Sequence, residues 1–547
     1  MKKTNKIRIE KLHKLILILF ILFYSILNVH VLILDKTPFI HDIGDSYLES
    51  INYYNAIKNR SFNDFKDTYL RLITTYPPLN RLVVLPFYFL FGVSEDVASI
   101  SNLFYFIIIV FSVYYIGKKI YSSECGFYSS IILSLFTGVF SFSRVFLPDY
   151  PLLGIVSLSI ALMIGSNHFR NRITTIFFGI SLGLGMLSKW TFFVYIIGPS
   201  IIYFFKSIKL NKHKNNKYLF NLIFSLISGA IVSLSWYFNK FIYLYQKAYI
   251  TNSEYMLQFP GYKTFSIQNL ALLSNFMYLQ ILPGFFILIY LLFPLIIFIK
   301  NKWKYLLLSW VLIPYAILSL NSWKFGRYLL PIMPAIAIIF VLIIMKLFEK
   351  SSFFHYKKIL LVIILFLILN FVFVSLNQRE KNELISEGIL GPDIDDGGLM
   401  DLHKFLENES LFHKVDVIAI PNLEFISEFK HKSYFSNYDV KTPFFCIGHK
   451  GKYQCGDEDY PKNYLSGDIV CSSDYVLTLK ENFNWDTYNL MHISNREEIE
   501  KKVVIPINSK WKKCKDEFEI VYEISNLLTK DGKLVNLFLY KRMKISN

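Results

Sequence analysis

Two aspartates and a scattered set of cations are the residues of this chain best suited to chemistry. Asp42 and Asp45 stand in IHDIGDSYL, at the head of a polar, acid-bearing stretch, Ile40–Leu79, that ends TYPPL. Arg144 and Asp149 follow in SRVFLPDYP, Lys189 in LSKW, and Lys324 and Arg327 in NSWKFGRY. The segments between them are apolar enough to be membrane spans. Charges kept next to hydrocarbon are costly, and they usually serve a site or a pairing. A carboxylate can take a proton from an attacking nucleophile. Arg grips a phosphate with a two-pronged guanidinium, and Lys acts as a point charge. Carboxylates and several cations at one membrane face therefore suit a reaction at a lipid-borne phosphate. Taken singly, each cation is an ordinary interfacial residue whose head reaches water, and Ile40–Leu79 alone could be an ordinary solvated loop. Their recurrence on one face points to a site.

Composition agrees with a membrane setting. Of the 547 residues 53% are hydrophobic and 18% aromatic, which places the chain among polytopic membrane proteins. The net charge of +17 would suggest nucleic acid in a soluble protein. Here Lys and Arg fall in short loops beside apolar runs, so topology and anionic headgroups account for them. No Gly-rich phosphate loop, zinc-type Cys/His spacing or nucleic-acid motif appears. The N-terminal run Leu15–Leu34, behind a basic head, is long enough to span and lacks a small-residue cleavage site, so it reads as a retained first span rather than a signal peptide.

Counting from that span with the N-terminus in the cytoplasm gives about 11 transmembrane helices. They lie near Leu15–Leu34, Val97–Ile116, Phe127–Phe142, Leu152–Ile164, Ile173–Leu187, Phe192–Phe205, Tyr218–Phe238, Ile281–Ile299, Tyr305–Leu320, Leu329–Phe348 and Ile359–Leu376. Leu82–Phe91 is apolar but short, and is expected to lie along the interface. The strongly basic short loops, Lys206–Lys217 with five lysines among them, all fall on the cytoplasmic side of this count. Residues 1–376 form the transmembrane part, with 35–80 as its first outer loop. A polar linker, 377–400, leads to residues 401–547, expected to be a soluble extracytoplasmic α/β domain. Its strands are predicted at Val415–Ile420, Asp474–Leu479, Ile520–Ile524 and Val535–Tyr540, with Asp531-Gly532 as a hairpin turn and a helical pattern over Leu402–Leu411. Four of the five cysteines lie in this domain, which suggests two disulfides, Cys446–Cys455 and Cys471–Cys514 being the pairing adopted among three.

In order along the chain these motifs resemble the GT-C glycosyltransferases, in the branch of protein O-mannosyltransferases and the aminoarabinose transferase of lipid A. GDSYL (Gly44–Leu48) resembles that branch's Asp-Glu-x-Tyr in the first outer loop, although Ser46 replaces the Glu. YPPL (Tyr76–Leu79) matches its Pro-Pro motif, SRVFLPDYPL its Arg-then-Asp before the fourth span, GMLSKW (Gly185–Trp190) its Leu-[Ser/Thr]-Lys segment, and RYLLP (Arg327–Pro331) its Arg-Tyr-x-x-Pro. The resemblance covers about residues 15–345. It implies a GT-C fold and a polyprenyl-phosphate sugar donor used at the outer face, with an inverting transfer to a glycan, lipid or protein acceptor. Asp45 or Asp42 would be the general base. Arg144, Lys189 and Arg327 would hold the donor phosphate, and Asp149, with Tyr76, Pro77 and Pro78, would be structural or face the acceptor. His41 beside Asp42 and Asp45 offers three ligands for a divalent metal, but the branch generally needs none for catalysis, so no cofactor is expected.

A lipid-linked glycan flippase is the rival reading. It should show internal repeats and broken helices around a polar mid-membrane site. No repeat is found, and the ionisable residues gather at one face. A non-catalytic scaffold would need neither the acids nor the cations.

Overall fold

The structure is a computed structural model. It describes residues 2–35, 41–70, 76–211, 216–238, 240–241, 245, 267–320, 325–349 and 356–376, and in the C-terminal part the seven strands given below with a few flanking residues. The chain forms two compact units. One comprises Met1–Asp35, Glu49–Arg379 and Glu383–Pro392, and the other Lys36–Leu48, Glu380–Asn382 and Asp393–Asn547.

The first unit is helical. α1 (Lys2–Leu34) is followed by α2 (His41–Lys58) and α3 (Phe62–Leu70), and then by the short α4 (Leu79–Val83), α5 (Leu85–Phe91) and α6 (Glu95–Ile100). The opening residues of α2, His41–Leu48, belong to the second unit. The bundle continues with α7 (Asn102–Ile120), α8 (Ser123–Ser134), α9 (Thr137–Phe142), α10 (Asp149–Gly165), α11 (Arg172–Ser188), α12 (Phe192–Asn211) and α13 (Lys217–Tyr237). α14 (Ile267–Ile281), α15 (Pro283–Leu292), α16 (Lys304–Leu320), α17 (Met333–Leu347) and α18 (Tyr356–Leu376) complete it. Helix starts follow local chemistry. The Ser94, Ser122 and Asn171 side chains each accept the backbone N–H three residues on, capping α6, α8 and α11.

Among the described residues six helices are long and apolar enough to cross a membrane, or seven if the bent pair around Leu282 is one span. The pair turns through 118° at Leu282, whose φ of +89° no regular helix tolerates. The expected span Ile281–Ile299 is thus the second arm of a broken element. α10, α11 and α16, 17 residues each, rise only about 25 Å at 1.5 Å per residue, short of a hydrocarbon core of about 30 Å. α10 starts at Asp149 and α11 stops just before Lys189: motif residues take the place of a final turn. With α8 and α9 taken together, helices occupy all eleven expected positions.

The stretch expected as an outer loop is also helical. On α2, Tyr47, Ser50, Ile51, Tyr53 and Ala56 recur at helical spacing and are buried, so its charges decorate an amphipathic helix. α17 is buried along nearly its whole length and forms the centre of the bundle, whereas Phe220, Ile223, Ile227, Ile231 and Leu234 of α13 form an exposed apolar stripe suited to lipid. α13 lies tightly against α11. A Cβ on Gly179 would stand 1.8 Å from the Ser225 carbonyl oxygen, and one on Gly183 would stand 2.5 Å from that of Gly229. Small residues four apart on both helices permit this approach.

The second unit carries a five-stranded mixed sheet in the order β2-β1-β5-β7-β6. β1 (Val415–Ile420) runs parallel to β2 (Tyr438–Lys441) and β5 (Tyr475–Leu479), while β7 (Leu534–Arg542) is antiparallel to β5 and β6 (Phe518–Leu528). The four predicted strands are present, the last two extended by several residues. Asp531-Gly532 lies outside the described residues, as does most of Leu402–Leu411. Trp511 packs on Phe518 and Tyr540 at centroid distances of 5.4 and 5.2 Å, and Val476 and Leu539 in the middle of the sheet are buried. A separate hairpin, β3 (Cys446–His449) with β4 (Lys452–Cys455), sets Cys446 opposite Cys455. Cys514 is disulfide-bonded, Cys125 is a buried free thiol, and Cys471 lies outside the described residues.

Gly179→Leu should force α11 and α13 apart. Its cost is expected to reach or exceed the roughly 1–3 kcal/mol of ordinary overpacking, read as a lowered Tm of the chain in detergent. Ile231→Leu, on the lipid-facing stripe of α13, should leave Tm unchanged.

Candidate functional site

Three chain breaks bring three charged residues together. Asp149 is the first residue of α10, behind Pro148. Lys189 follows the last turn of α11 in extended conformation, its N–H still bonded to the Gly185 carbonyl. Gly185 is required there: a Cβ would stand 2.3 Å from the Phe192 ring, which folds back against it at the start of α12. Arg327 is the second residue of a 3-10 segment, Gly326–Ile332, that contains Pro331. That segment is fixed through two carbonyls. Tyr195 Oη donates to Tyr328 O at 2.7 Å, and Trp310 Nε1 donates to Pro331 O at 2.9 Å.

Lys189 Nζ lies 2.7 Å from Asp149 Oδ1, and Arg327 Nε lies 3.7 Å from Asp149 Oδ2. All three residues are buried, at 2%, 8% and 1% exposure for Lys189, Arg327 and Asp149. One carboxylate thus faces two cations in a place poor in water. Aromatic rings wall the cluster: Lys189 Nζ is 4.5 Å from the Tyr328 centroid and 5.6 Å from that of Tyr76, and Arg327 stacks 4.6 Å from Phe325. Rings present negative faces to both cations.

Tyr76 links this cluster to a second one. Arg81 Nη1 donates to the Tyr76 carbonyl at 2.8 Å and reaches the Pro77 carbonyl at 3.3 Å, while its Nε pairs with Glu49 of α2 at 2.9 Å. Pro77 and Pro78 are buried and, lacking N–H groups, hold the Tyr76–Pro78 backbone out of helix. Lys240, also buried, sits 4.3 Å from the Trp236 ring. Burial lowers its ammonium to about 8, with Glu49 opposing the shift and Arg81 adding to it. Neither Arg81, Glu49 nor Lys240 belongs to the motifs singled out from sequence. A signal existed for the first two: Arg81 closes YPPLNR, and Glu49 stands four residues after Asp45.

Arg144 is tied elsewhere. Its Nε donates to Asn28 Oδ1 and its Nη2 to Ser375 Oγ, both at 2.6 Å, so it joins α1 to α18. Burial lowers it to about 10, still cationic at neutral pH. The structure therefore brings Lys189, Arg327, Asp149 and Tyr76 together and gives Arg144 a different set of partners. Asp42 and Asp45 lie in the first two turns of α2, and their side chains, with that of His41, are outside the described residues; so is Lys324. One polar group was missed altogether. Gln280, at the end of α14 and 1% exposed, has no hydrogen-bond partner for its amide among the described residues. It packs against Gly138 and Gly326, the residue before Arg327.

Residues 75–236 match the family model described as dolichyl-phosphate-mannose-protein mannosyltransferase. The whole chain is similar in structure to ArnT from Cupriavidus metallidurans in the apo state, with a TM-score of 0.59 at 11% identity, covering 95% of this chain and 97% of that one. The same protein bound to undecaprenyl phosphate gives 0.58 at 10% identity, with the same coverage. The oligosaccharyltransferase of Archaeoglobus fulgidus in the apo form gives 0.50 at 11%, covering 96% of this chain and 74% of that one. No curated protein matches. A segment similar to that family thus lies within a multi-pass membrane chain of the GT-C glycosyltransferase fold.

Asp149→Asn removes the carboxylate that faces two buried cations, Lys189 and Arg327. It should cost about 3–5 kcal/mol, and adding Lys189→Met should restore part of that loss. Paired thermal melts of the single and double variants check this, and a double variant no more stable than the single would contradict it.

Proposed function

We propose that this chain is a membrane glycosyltransferase that takes a sugar from a polyprenyl-phosphate carrier and passes it to an acceptor at the extracytoplasmic face. The N-terminus would be cytoplasmic and the C-terminal unit outside. The observation that carries the proposal is the buried Lys189–Asp149–Arg327 cluster, assembled from three separate motifs and setting two cations on one carboxylate. Phosphate released as the sugar departs gains negative charge, and cations fixed in a dry site stabilise that charge without having to reorganise. Asp149 orients both cations before the donor arrives. Arg327, with its planar fork, can turn toward a phosphate while Lys189 remains on the carboxylate.

The acceptor would lose its proton to Asp45, with Asp42 as the alternative, in a single inverting displacement. Arg144 is carried over from the resemblance as a third phosphate contact; its bonds to Asn28 and Ser375 favour a supporting role in holding the turn that leads to Asp149. No metal is required by this scheme. The break at Leu282 has no counterpart in a second half among the described residues, so a flippase would lack the paired broken helices that alternating access uses.

Purified protein and a polyprenyl-phosphate sugar test the scheme. Asp45→Asn should lower transfer by about 10²–10⁴-fold, the usual worth of a general base, with donor binding retained. Full activity in that variant together with loss in Asp42→Asn would move the base, and activity in both would end the carboxylate mechanism. Lys189→Ala and Arg327→Ala should each weaken donor binding, and unchanged donor affinity in both would remove their phosphate role.

A further inference from the structure

The end of the bundle opposite Asp149 holds a second cationic cluster that the transfer reaction does not use. α10 leaves Asp149 and ends at Gly165, and the chain turns back to α11 through Ser166–Asn171. Three consecutive non-glycine residues of this turn, Asn167, His168 and Phe169, have φ of +51°, +60° and +63°. Left-handed backbone in succession persists only where the surroundings over-determine it. Here they do. His168 N donates to Tyr203 Oη, Phe169 N to Ser166 Oγ, Asn211 Nδ2 to the His168 carbonyl, and Asn221 Nδ2 to the Phe169 carbonyl.

The turn holds the His168 ring in a near-parallel stack with Tyr203 and Trp303, the interplanar angles being 12° and 3°. Around the stack stand three cations. Lys206 Nζ is 4.1 Å and Lys302 Nζ 5.6 Å from the Trp303 centroid, and Arg170 follows Phe169 with Nε on Asn211. Among the described residues none of the three has a carboxylate partner, and the charged groups acting on His168 are these same three cations, which together with burial hold it neutral, at about 4. Trp303 is 7% exposed, and its indole N–H has no acceptor among the described residues. A buried donor without an acceptor among the described residues, set beside cations with no carboxylate partner there, suits an anionic oxygen. Phe205, Ile208 and Leu210 of α12 and Phe298 beyond α15 are exposed beside it, an apolar flank that would take acyl chains.

We infer that Arg170, Lys206, Lys302 and the Trp303 N–H form a binding site for the phosphodiester headgroup of an anionic phospholipid, at the membrane face opposite the transfer site. Native mass spectrometry of the full chain in neutral detergent, titrated with phosphatidylglycerol, tests it. Wild type should retain one phosphatidylglycerol and no phosphatidylcholine. Lys206→Gln with Lys302→Gln should weaken retention by at least about tenfold, given the attraction of each lysine for anionic lipid. Trp303→Phe, which keeps the ring stack and loses only the donor, should weaken it several-fold. Lys209→Gln, on α12 but outside the cluster, should change nothing. Equal retention in wild type and the double variant, or an equal loss in Lys209→Gln, would overturn the site. Displacement of the lipid by millimolar inorganic phosphate would overturn the lipid assignment in favour of a soluble phosphate.

Discussion

One buried carboxylate with two cations constrains much of the bundle. Holding a Lys or Arg charged in a dry interior costs hydration that packing alone does not return, and a facing carboxylate offsets that cost. Asp149 removes that obstacle for Lys189 and Arg327 together. The geometry this needs explains features that look unrelated in sequence. α10 begins late, at its acid; α11 stops early, at its base; and Gly185 makes room for Phe192 so that the chain can turn beyond Lys189. Pro331 makes the segment after Arg327 a 3-10 turn rather than a helix, and Tyr195 and Trp310 take up the carbonyls that this leaves exposed.

The pattern is repeated nearby, with Glu49 holding Arg81 and acting on Lys240. The Tyr76 ring lies between the two groups, 5.6 Å from Lys189 and 6.0 Å from Arg81. Its carbonyl, bonded to Arg81, fixes its backbone while its ring faces Lys189. YPPL therefore works as a spacer of fixed shape. The two prolines stiffen the backbone, the tyrosine separates like charges, and the following arginine ties the segment to α2. A flexible linker in the same place would let Lys189 and Arg81 choose other partners.

Most of the architecture was legible in sequence because long apolar runs mark helices and alternation marks strands. The eleven helix positions and the strands of the C-terminal sheet follow from run length and alternation. Legibility failed where tertiary contact outvotes composition. Ile40–Leu79 is polar enough to pass for a loop, yet Tyr47, Ile51 and Ala56 recur at helical spacing, and burial of that stripe makes α2. The split at Leu282 follows from a backbone angle that Leu282 itself does not announce, although Pro283 marks the boundary. Lys189, Asp149 and Arg327 were each legible as motif residues. Their mutual pairing was not, since nothing in one dimension says which cation meets which acid. Arg144 shows the same limit. Its motif groups it with Asp149, yet its guanidinium reaches Asn28 and Ser375, 116 and 231 positions away.

The two polar ends of the bundle are mechanically one system. α10 and α11 are each 17 residues long and are joined by the short turn Ser166–Asn171. Equal arms of an antiparallel hairpin bring the first residue of one level with the residue just past the end of the other. That residue pair is Asp149 and Lys189. One added residue in either arm would displace its end by about 1.5 Å and rotate it by about 100°, enough to separate a 2.7 Å ion pair. The left-handed residues Asn167, His168 and Phe169 reverse the chain without a longer loop and so fix the phase of one helix against the other. Strain at that turn is thereby converted into register at the far end. Gly179 and Gly183 then carry that register to α13, whose end presents Trp236 to Lys240. The polar network around His168 maintains the alignment on which the charged site depends, whatever further ligand it holds.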